Sequence, residues 1–350
     1  MSQMVSGARQ GSLAPASPPA GLPSPEEILA AMPGENFPVA LRVLPASLRA
    51  DLRAIYAYAR FVDQLGDAYR GDRSAALDWL EAEVDRGLSG AFPPAELHPS
   101  VGPVVSLVTR RGSGGAQLTA LIAANRMDQT VSSYDRFDDL VAYCHLSADP
   151  VGRLVLVACE RSTSERVAWS DRICTALQLA EHWQDLAEDA RAGRVYLPVE
   201  DLERFGVERA EIERTAGPGG QASSRLRGLV AFEVFRARSL LREGEALVRS
   251  LDGWARLAVA GFVAGGHGAL DAIADAGYDP FPGPPRPARR RVVAHAVRLL
   301  AASRAGQAAT GVRVQAGPAT PGGPNPGPAD PCRPAPGRPD PGPWPGGGPG

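Results

Sequence analysis

The chain has 350 residues, enough for one large domain or two small ones, and its 44% hydrophobic content is ordinary for a globular protein. A formal net charge of −2 supplies no overall field for nucleic acid or an anionic membrane, so nucleic-acid binding is not expected. The four cysteines, Cys144, Cys159, Cys174 and Cys332, include no C-x-x-C pair and match neither a zinc site nor a disulfide framework, which points to reduced thiols and a cytoplasmic location.

Residues 1–23 are mostly Ser, Ala, Pro and Gly and are expected to be disordered, and no charged segment leading into an apolar one marks a signal peptide. At Ser24-Pro25-Glu26-Glu27 a serine cap, a proline at the first helical position and early acids agree on a short helix. Residues 46–70 carry Leu48, Leu52, Ile55, Ala59 and Val62 at helical spacing. Further helices are predicted over 72–87, 115–131, 136–160, 166–191, 221–250, 253–276 and 287–303, with breakers at Gly112–Gly115, Gly217–Gly220 and Pro280–Pro287. No period-2 alternation is sustained, so strands are not expected. The longest apolar stretches, 154–159 and 257–265, are shorter than the ~20 residues a membrane-spanning helix needs. From Gly317 to Gly350, 13 of 34 residues are Pro and 10 are Gly, without the triplet period of collagen, so this run has nothing with which to build a core. The expectation is eight or nine helices in one folded domain over residues 24–303, followed by a disordered tail over 304–350.

Two places carry chemistry. In the first helix Tyr56, Arg60, Asp63 and Asp67 are separated by four, three and four residues, which puts them on one helical face. In the second, Gln178, Glu181, Asp185 and Asp189 follow at three, four and four. A single D-x-x-x-D pair reads most simply as a solvated face with mild repulsion. Two such stripes, each in a helix that is otherwise strongly apolar and neither relieved by a basic residue four positions on, point to a divalent cation held by oxygen atoms. Magnesium suits such a site, because it takes octahedral oxygen coordination and keeps waters and substrate phosphates in its shell. Arg60 and Arg194 are candidates for charge-assisted bonds to those phosphates. No P-loop or G-x-G-x-x-G is present, so no nucleotide cofactor is expected.

Taken together and in order, the motifs resemble the squalene/phytoene synthase family over roughly residues 30–290. They are Glu35-Asn36-Phe37-Pro38-Val39-Ala40 with Leu44-Pro45, the stripe Tyr56 to Asp67, Tyr143-Cys144-His145-Leu146-Ser147-Ala148-Asp149-Pro150-Val151-Gly152, Gln178 to Asp189, and Gly193-Arg194-Val195-Tyr196-Leu197-Pro198. Within the family, the Glu-Asn-Phe-Pro-Val, Ser-Ala-x-Pro-Val-Gly and His-Trp-Gln-Asp segments are most similar to the HpnC branch of bacterial hopanoid pathways. The resemblance implies an all-α isoprenoid (terpenoid) synthase fold, a single helical domain whose two aspartate motifs face each other over a central apolar cavity. It implies two or three Mg²⁺ held by Asp63, Asp67, Asp185 and Asp189, with Glu181 as a further ligand. Tyr56, Arg60 and Arg194 would stand beside the diphosphate, Gln178 would line the site, and Tyr143 and Tyr196 would lie near the reacting carbons, where packing is an equal reading of both tyrosines. The implied substrate is presqualene diphosphate, converted to hydroxysqualene. Other hopanoid-pathway enzymes and the inner face of the membrane are the implied partners. Gln64 departs from the family's usual second aspartate, Glu181 from its usual asparagine, and Gly265-Gly266 from the tyrosine of many condensing members. The rival readings are head-to-head condensation of two farnesyl or geranylgeranyl diphosphates, and a non-catalytic helical scaffold. Phe61 and Trp183 are expected in the core, and His182 at a structural or rim position.

Overall fold

The computed structural model describes residues 17–30, 44–90 and 92–309. The Glu35–Ala40 segment and the Pro/Gly-rich run from Gly317 lie outside the described residues. Fifteen α-helices, rather than eight or nine, make up the described chain, together with a π-helical turn and one 3-10 turn. The nearest approach to a strand among them is an isolated bridge between Ser133 and Val195.

The first helix, α1 (Pro25–Ala30), starts where the sequence predicts, closed by a reciprocal capping box. Ser24 N–H donates to Glu27 Oε2 (2.8 Å), and Glu27 N–H donates to Ser24 Oγ (3.2 Å). Ahead of it, the Tyr69 hydroxyl donates to the Ala20 carbonyl and Leu22 packs on a core, so contacts begin before residue 24. There follow α2 (Ala46–Asp63), α3 (Arg73–Leu88), α4 (Gly102–Arg111), α5 (Gly115–Met127), α6 (Phe137–Ser147) and α7 (Asp149–Ala158). The chain continues with α8 (Ser164–Gln184), α9 (Leu186–Arg191), α10 (Val199–Phe205), α11 (Arg209–Thr215), α12 (Ser224–Gly244), α13 (Ala246–Ser250), α14 (Gly253–Asp275) and α15 (Arg289–Ala309).

The predicted helix over 136–160 is two helices. Pro150 lacks an N–H and its ring displaces the carbonyl one turn back, so the chain breaks at Ala148 (φ −114°, ψ −49°). The predicted helix over 166–191 likewise breaks, at Asp185 (φ −98°, ψ 12°), within the second acidic stripe. Three unpredicted elements, α4, α10 and α11, are only seven to ten residues long, too short for a periodic pattern to emerge.

Two hydrophobic cores form. One gathers Ile55, Phe61, Leu80, Val105 and Ile122 from α2 to α5, with Leu154 and Val155 of α7. The other gathers Trp183, Leu229, Leu241, Val263 and Ile273 from the helices after α7, with Tyr143 of α6. The expected core residues Phe61 and Trp183 are both fully buried. Helix α8 packs against α6, α7, α12 and α14, and so runs through the middle of the second core.

Segments 137–158 and 253–275 are each long and apolar enough to cross a bilayer, contrary to the sequence expectation. The first is interrupted at Ala148, and 72% of the apolar window of the second is buried inside the fold, where core packing accounts for it.

Candidate active site

Helix α2 ends at Asp63 and continues directly into the π-turn Gln64–Ala68, closed by the i→i+5 bond from Tyr69 N–H to the Gln64 carbonyl (2.9 Å). Such turns recur at functional sites because they re-aim a side chain within a continuing helix. The end of helix α5 and the turn after it lock this one in place. Gln129 Nε2 donates to the Gly66 carbonyl (3.0 Å), and Asn125 Nδ2 lies 3.4 Å from Asp63 Oδ1. Gly66 allows the approach, since a Cβ there would meet Asn125 Oδ1 at 2.0 Å. Burial raises the Asp63 pKa to about 6, reinforced by the charges of Asp67 and Asp128 and opposed by Asn125 and Arg60. Arg60 and Tyr56 lie one and two turns before Asp63 on the same helix.

The loop after α9 brings a second set of residues to Asp67. Val195 N–H donates to the Ser132 carbonyl (3.0 Å) and Val199 N–H to the Tyr134 carbonyl (2.9 Å), which lays segment 195–199 along 132–134. The pairing gathers Tyr134, Tyr143 and Tyr196, with ring centroids 5.5–6.0 Å apart, and stacks Tyr196 on His182 at 3.7 Å. The Tyr143 hydroxyl donates to Asp128 Oδ2 (2.8 Å). Burial first, and then the Asp128 charge, raises all three tyrosine pKa values far above their ordinary range, so the hydroxyls stay protonated.

Arg194 joins the two acidic helices. Its Nη1 donates to Asp67 Oδ1 (2.9 Å), and its Nη2 lies 3.9 Å from Asp189 Oδ1. Asp189 is also 3.9 Å from His182 Nδ1, and Gln178 Nε2 is 3.3 Å from His182 Nε2. His182 is thus inside the polar cluster, not at its rim. Asp185 has its pKa raised by burial and by Asp189 and Glu188, with His182 opposing.

A cavity of about 490 Å³ opens beside this cluster, within the range of small-molecule pockets. It lies where the two cores meet. Asp63, Gln178 and Glu181 line it, together with Leu121, Val155, Leu177, Val259 and Phe262. Eight of the eleven predicted site residues fall into two groups, and Tyr56, Arg60 and Asp185 are not among the described lining residues. Asp63, Gln178 and Glu181 reach the cavity, while Asp67, Asp189, Arg194, Tyr143 and Tyr196 gather in the polar cluster. Phe262, not Tyr143 or Tyr196, is the aromatic side chain among the described lining residues. Asp128 and Tyr134 belong to the same cluster and were not singled out from sequence. The signal for Asp128 is the spacing Asn125, Asp128, Gln129, which aligns three polar side chains on one face where α5 ends and the following turn begins.

The donor set fits magnesium. Every candidate ligand is a carboxylate oxygen, and the buried Asp128 Oδ1 has no hydrogen-bond partner. Among the described residues no three His, Cys, Asp or Glu side chains converge on one point. Magnesium is ordinarily held by one or two carboxylates, with water and substrate phosphate completing its shell, so pairs of acids on facing helices suffice.

Helices carrying paired acids around an apolar cavity define an all-α enzyme of the isoprenoid synthase type. The family model for squalene/phytoene synthase matches residues 31–298, and the chain belongs to that family. It is 34% identical over 221 residues to a hydroxysqualene synthase of Zymomonas mobilis, covering 59% of this chain and 68% of that protein. It is 32% identical over 220 residues to a hydroxysqualene synthase of Sinorhizobium fredii, covering 61% and 70%. The crystal structure of squalene synthase HpnC from Alicyclobacillus acidocaldarius is similar with a TM-score of 0.65 at 37% identity, over 71% of this chain and 92% of that one. The protein is accordingly an enzyme of a metal-dependent family that acts on prenyl diphosphates.

Proposed function

We propose that this enzyme ionises presqualene diphosphate with the help of magnesium, and that the cyclopropylcarbinyl cation so formed rearranges and is captured by water, with opening of the ring, to give hydroxysqualene. The observation that carries the reading is the position of Arg194 between Asp67 and Asp189, which sets the two acidic helices face to face beside an apolar cavity. Identity of 32–34% to hydroxysqualene synthases supports this member of the family's range of reactions.

In this reading Asp63 and Asp67 hold metal on one side, and Asp185 and Asp189 hold it on the other, with Glu181 as a further donor. Magnesium, when bound, neutralises charge building on the departing diphosphate. Arg60 and Arg194 donate charge-assisted bonds to the diphosphate oxygens. Tyr56 stands beside Arg60, and Gln178 orients the substrate where the cavity meets the acids. The apolar walls take the two prenyl chains and keep bulk water from the cation. Tyr143 and Tyr196 act through the polar cluster, Tyr143 by fixing Asp128 and Tyr196 by stacking on His182. Residues 24–303 form the catalytic unit, placed in the cytoplasm and touching the inner face of the membrane from which so apolar a substrate is drawn.

Purified protein with Mg²⁺ is given presqualene diphosphate, and separately farnesyl diphosphate, with products identified by mass spectrometry. An alcohol from the first substrate and no C30 product from the second is expected. Conversion of farnesyl diphosphate alone to a C30 product would overturn the choice of reaction. Asp63→Asn and Asp185→Asn are each expected to lower turnover on the order of 100-fold with helical content intact. Unchanged turnover in both would remove the magnesium assignment.

A further inference from the structure

The reaction proposed above requires one water molecule inside an otherwise apolar cavity, and this inference rests on that reading. A buried water needs two to four polar partners. Away from the acids, the described lining offers Ser147, Ser170, Cys174, Gln178 and Gln184. Gln184 Nε2 already donates to the Pro285 carbonyl, and Gln178 is engaged with His182. Ser170 and Cys174 are bonded to each other and pressed against α7, where a Cβ on Gly152 would meet Cys174 Sγ at 2.4 Å and Ser170 Oγ at 2.5 Å.

Ser147 is different. It is the last residue of α6, immediately before the break at Ala148, and it reaches the cavity from there. Its Oγ is buried and has no hydrogen-bond partner. A serine in a helix can return its proton to the carbonyl one turn back, and Ser147 does not. A buried hydroxyl with no protein partner is a place where an ordered water or a ligand completes the bonding.

We infer that Ser147 Oγ, with an oxygen of the released diphosphate as the second partner, holds the water that captures the cation, and so sets whether an alcohol or an alkene leaves the enzyme. The cyclopropylcarbinyl cation left by the departing diphosphate rearranges. A lone pair of the water oxygen then forms the new C–O bond at a ring carbon as that carbon's ring C–C bond breaks, the ring-bond electron pair closing a double bond at the cationic centre. The water's proton passes to the released diphosphate, leaving the neutral alcohol. Without that water, the same diphosphate removes a proton from the carbon next to that ring carbon, and the C–H electron pair closes a double bond as the same ring bond opens.

The test measures the ratio of alcohol to alkene formed from presqualene diphosphate and Mg²⁺ in ¹⁸O-labelled water. Wild type, Ser147→Ala, Ser147→Val and Ser147→Thr are compared. Wild type is expected to give labelled alcohol, the alanine and valine variants a ratio at least tenfold lower, and the threonine variant, which keeps the hydroxyl, a ratio near wild type. Labelled alcohol from wild type with an unchanged ratio in the alanine and valine variants would overturn the role of Ser147 and leave the proposed reaction standing. Slower diphosphate release at an unchanged ratio would also overturn it, because Ser147 would then serve packing alone. Absence of alcohol from wild type would defeat the proposed reaction and this inference together.

Discussion

Arg194 stands between carboxylates that would otherwise repel, and its own charge is kept by them. Burial works against the guanidinium, but the hydrogen bond from Arg194 to Asp67 and the charges of Asp67 and Asp189 outweigh it, so its pKa is raised. Bonds to a charged group contribute about 1.5–3 kcal/mol each. Arg194→Gln is therefore expected to lower kcat/KM by roughly 10–100-fold, with Arg194→Lys in between because lysine keeps the charge and loses the fork. Steady-state kinetics on the two variants checks this, and equal loss in both would assign the effect to geometry alone. Gly66 carries a different burden. With Asn125 Oδ1 only 2.0 Å from the position of its missing Cβ, Gly66→Ala is expected to destabilise the fold by about 1–3 kcal/mol in urea unfolding. The acids and Arg194 were legible in the sequence because their spacing and order are unusual. Tyr134 was not, because it reaches the cluster only through the loop paired with 195–199, a relation that has no period along the chain, and Asp128 is marked only by its helical spacing to Asn125 and Gln129, with no second acid to set it apart.

At the scale of elements, the sequence places most helices but not their interruptions. Pro150 announces the break between α6 and α7, whereas the break at Asp185 has no Gly or Pro, and the π-turn after Asp63 holds only Gly66, a single glycine that does not by itself mark a change of helix. Both fall at acidic residues of the candidate site, where local pattern yields to the packing of α5 and the loop after α9. The last helix, α15, is held by a polar network that scattered histidines in the sequence did not reveal. Arg298 Nη2 and His267 Nε2 both lie 2.8 Å from Glu245 Oε1, and His295 Nε2 lies 2.9 Å from Asp271 Oδ2. The rings of His267 and His295 stack at 5.0 Å. Burial alone would raise the Glu245 pKa, but its hydrogen bonds to His267 and Arg298 prevail and lower it from 4.5 to about 2. A depressed carboxylate contributes stability above its unfolded pKa and loses it as pH falls, so this contribution fades between about pH 4.5 and 2. Hydrogen exchange of α15, corrected for intrinsic rates, is expected to rise across that window, and Glu245→Gln is expected to show the loosened state already at pH 6. Protection of α15 that stays constant to pH 2 would contradict the assignment.

For the whole molecule, the consequential arrangement is a pair of cores with a cavity between them. Composition and helical period predicted an all-helical chain, but which helices share a core depends on contacts far apart in sequence, and those carry no local signature. Helix α14 gives the cavity part of its room. A Cβ on Gly265 would meet no atom within 4 Å, whereas one on Gly266 would meet Leu177 Cδ2 at 2.6 Å. Gly265→Leu is therefore expected to leave the urea midpoint nearly unchanged while raising KM for a C30 diphosphate by roughly tenfold, the scale of one or two methylenes in a hydrophobic pocket. Gly266→Leu is expected to lower stability instead, by about 1–3 kcal/mol. A reversed pattern would place the substrate elsewhere.

The π-turn at Gln64–Ala68 has one more residue than an α-helical turn requires. Deleting Gln64, Leu65 or Gly66 from it would let α2 continue in regular geometry, and would turn everything beyond by roughly 100° about the helix axis. Such a chain would retain every aspartate of both motifs, yet Asp67 would point away from Arg194. The spacing of this segment thus tolerates changes of letter better than changes of length, and a one-residue gap here would separate relatives that keep the facing acids from relatives that only keep their names.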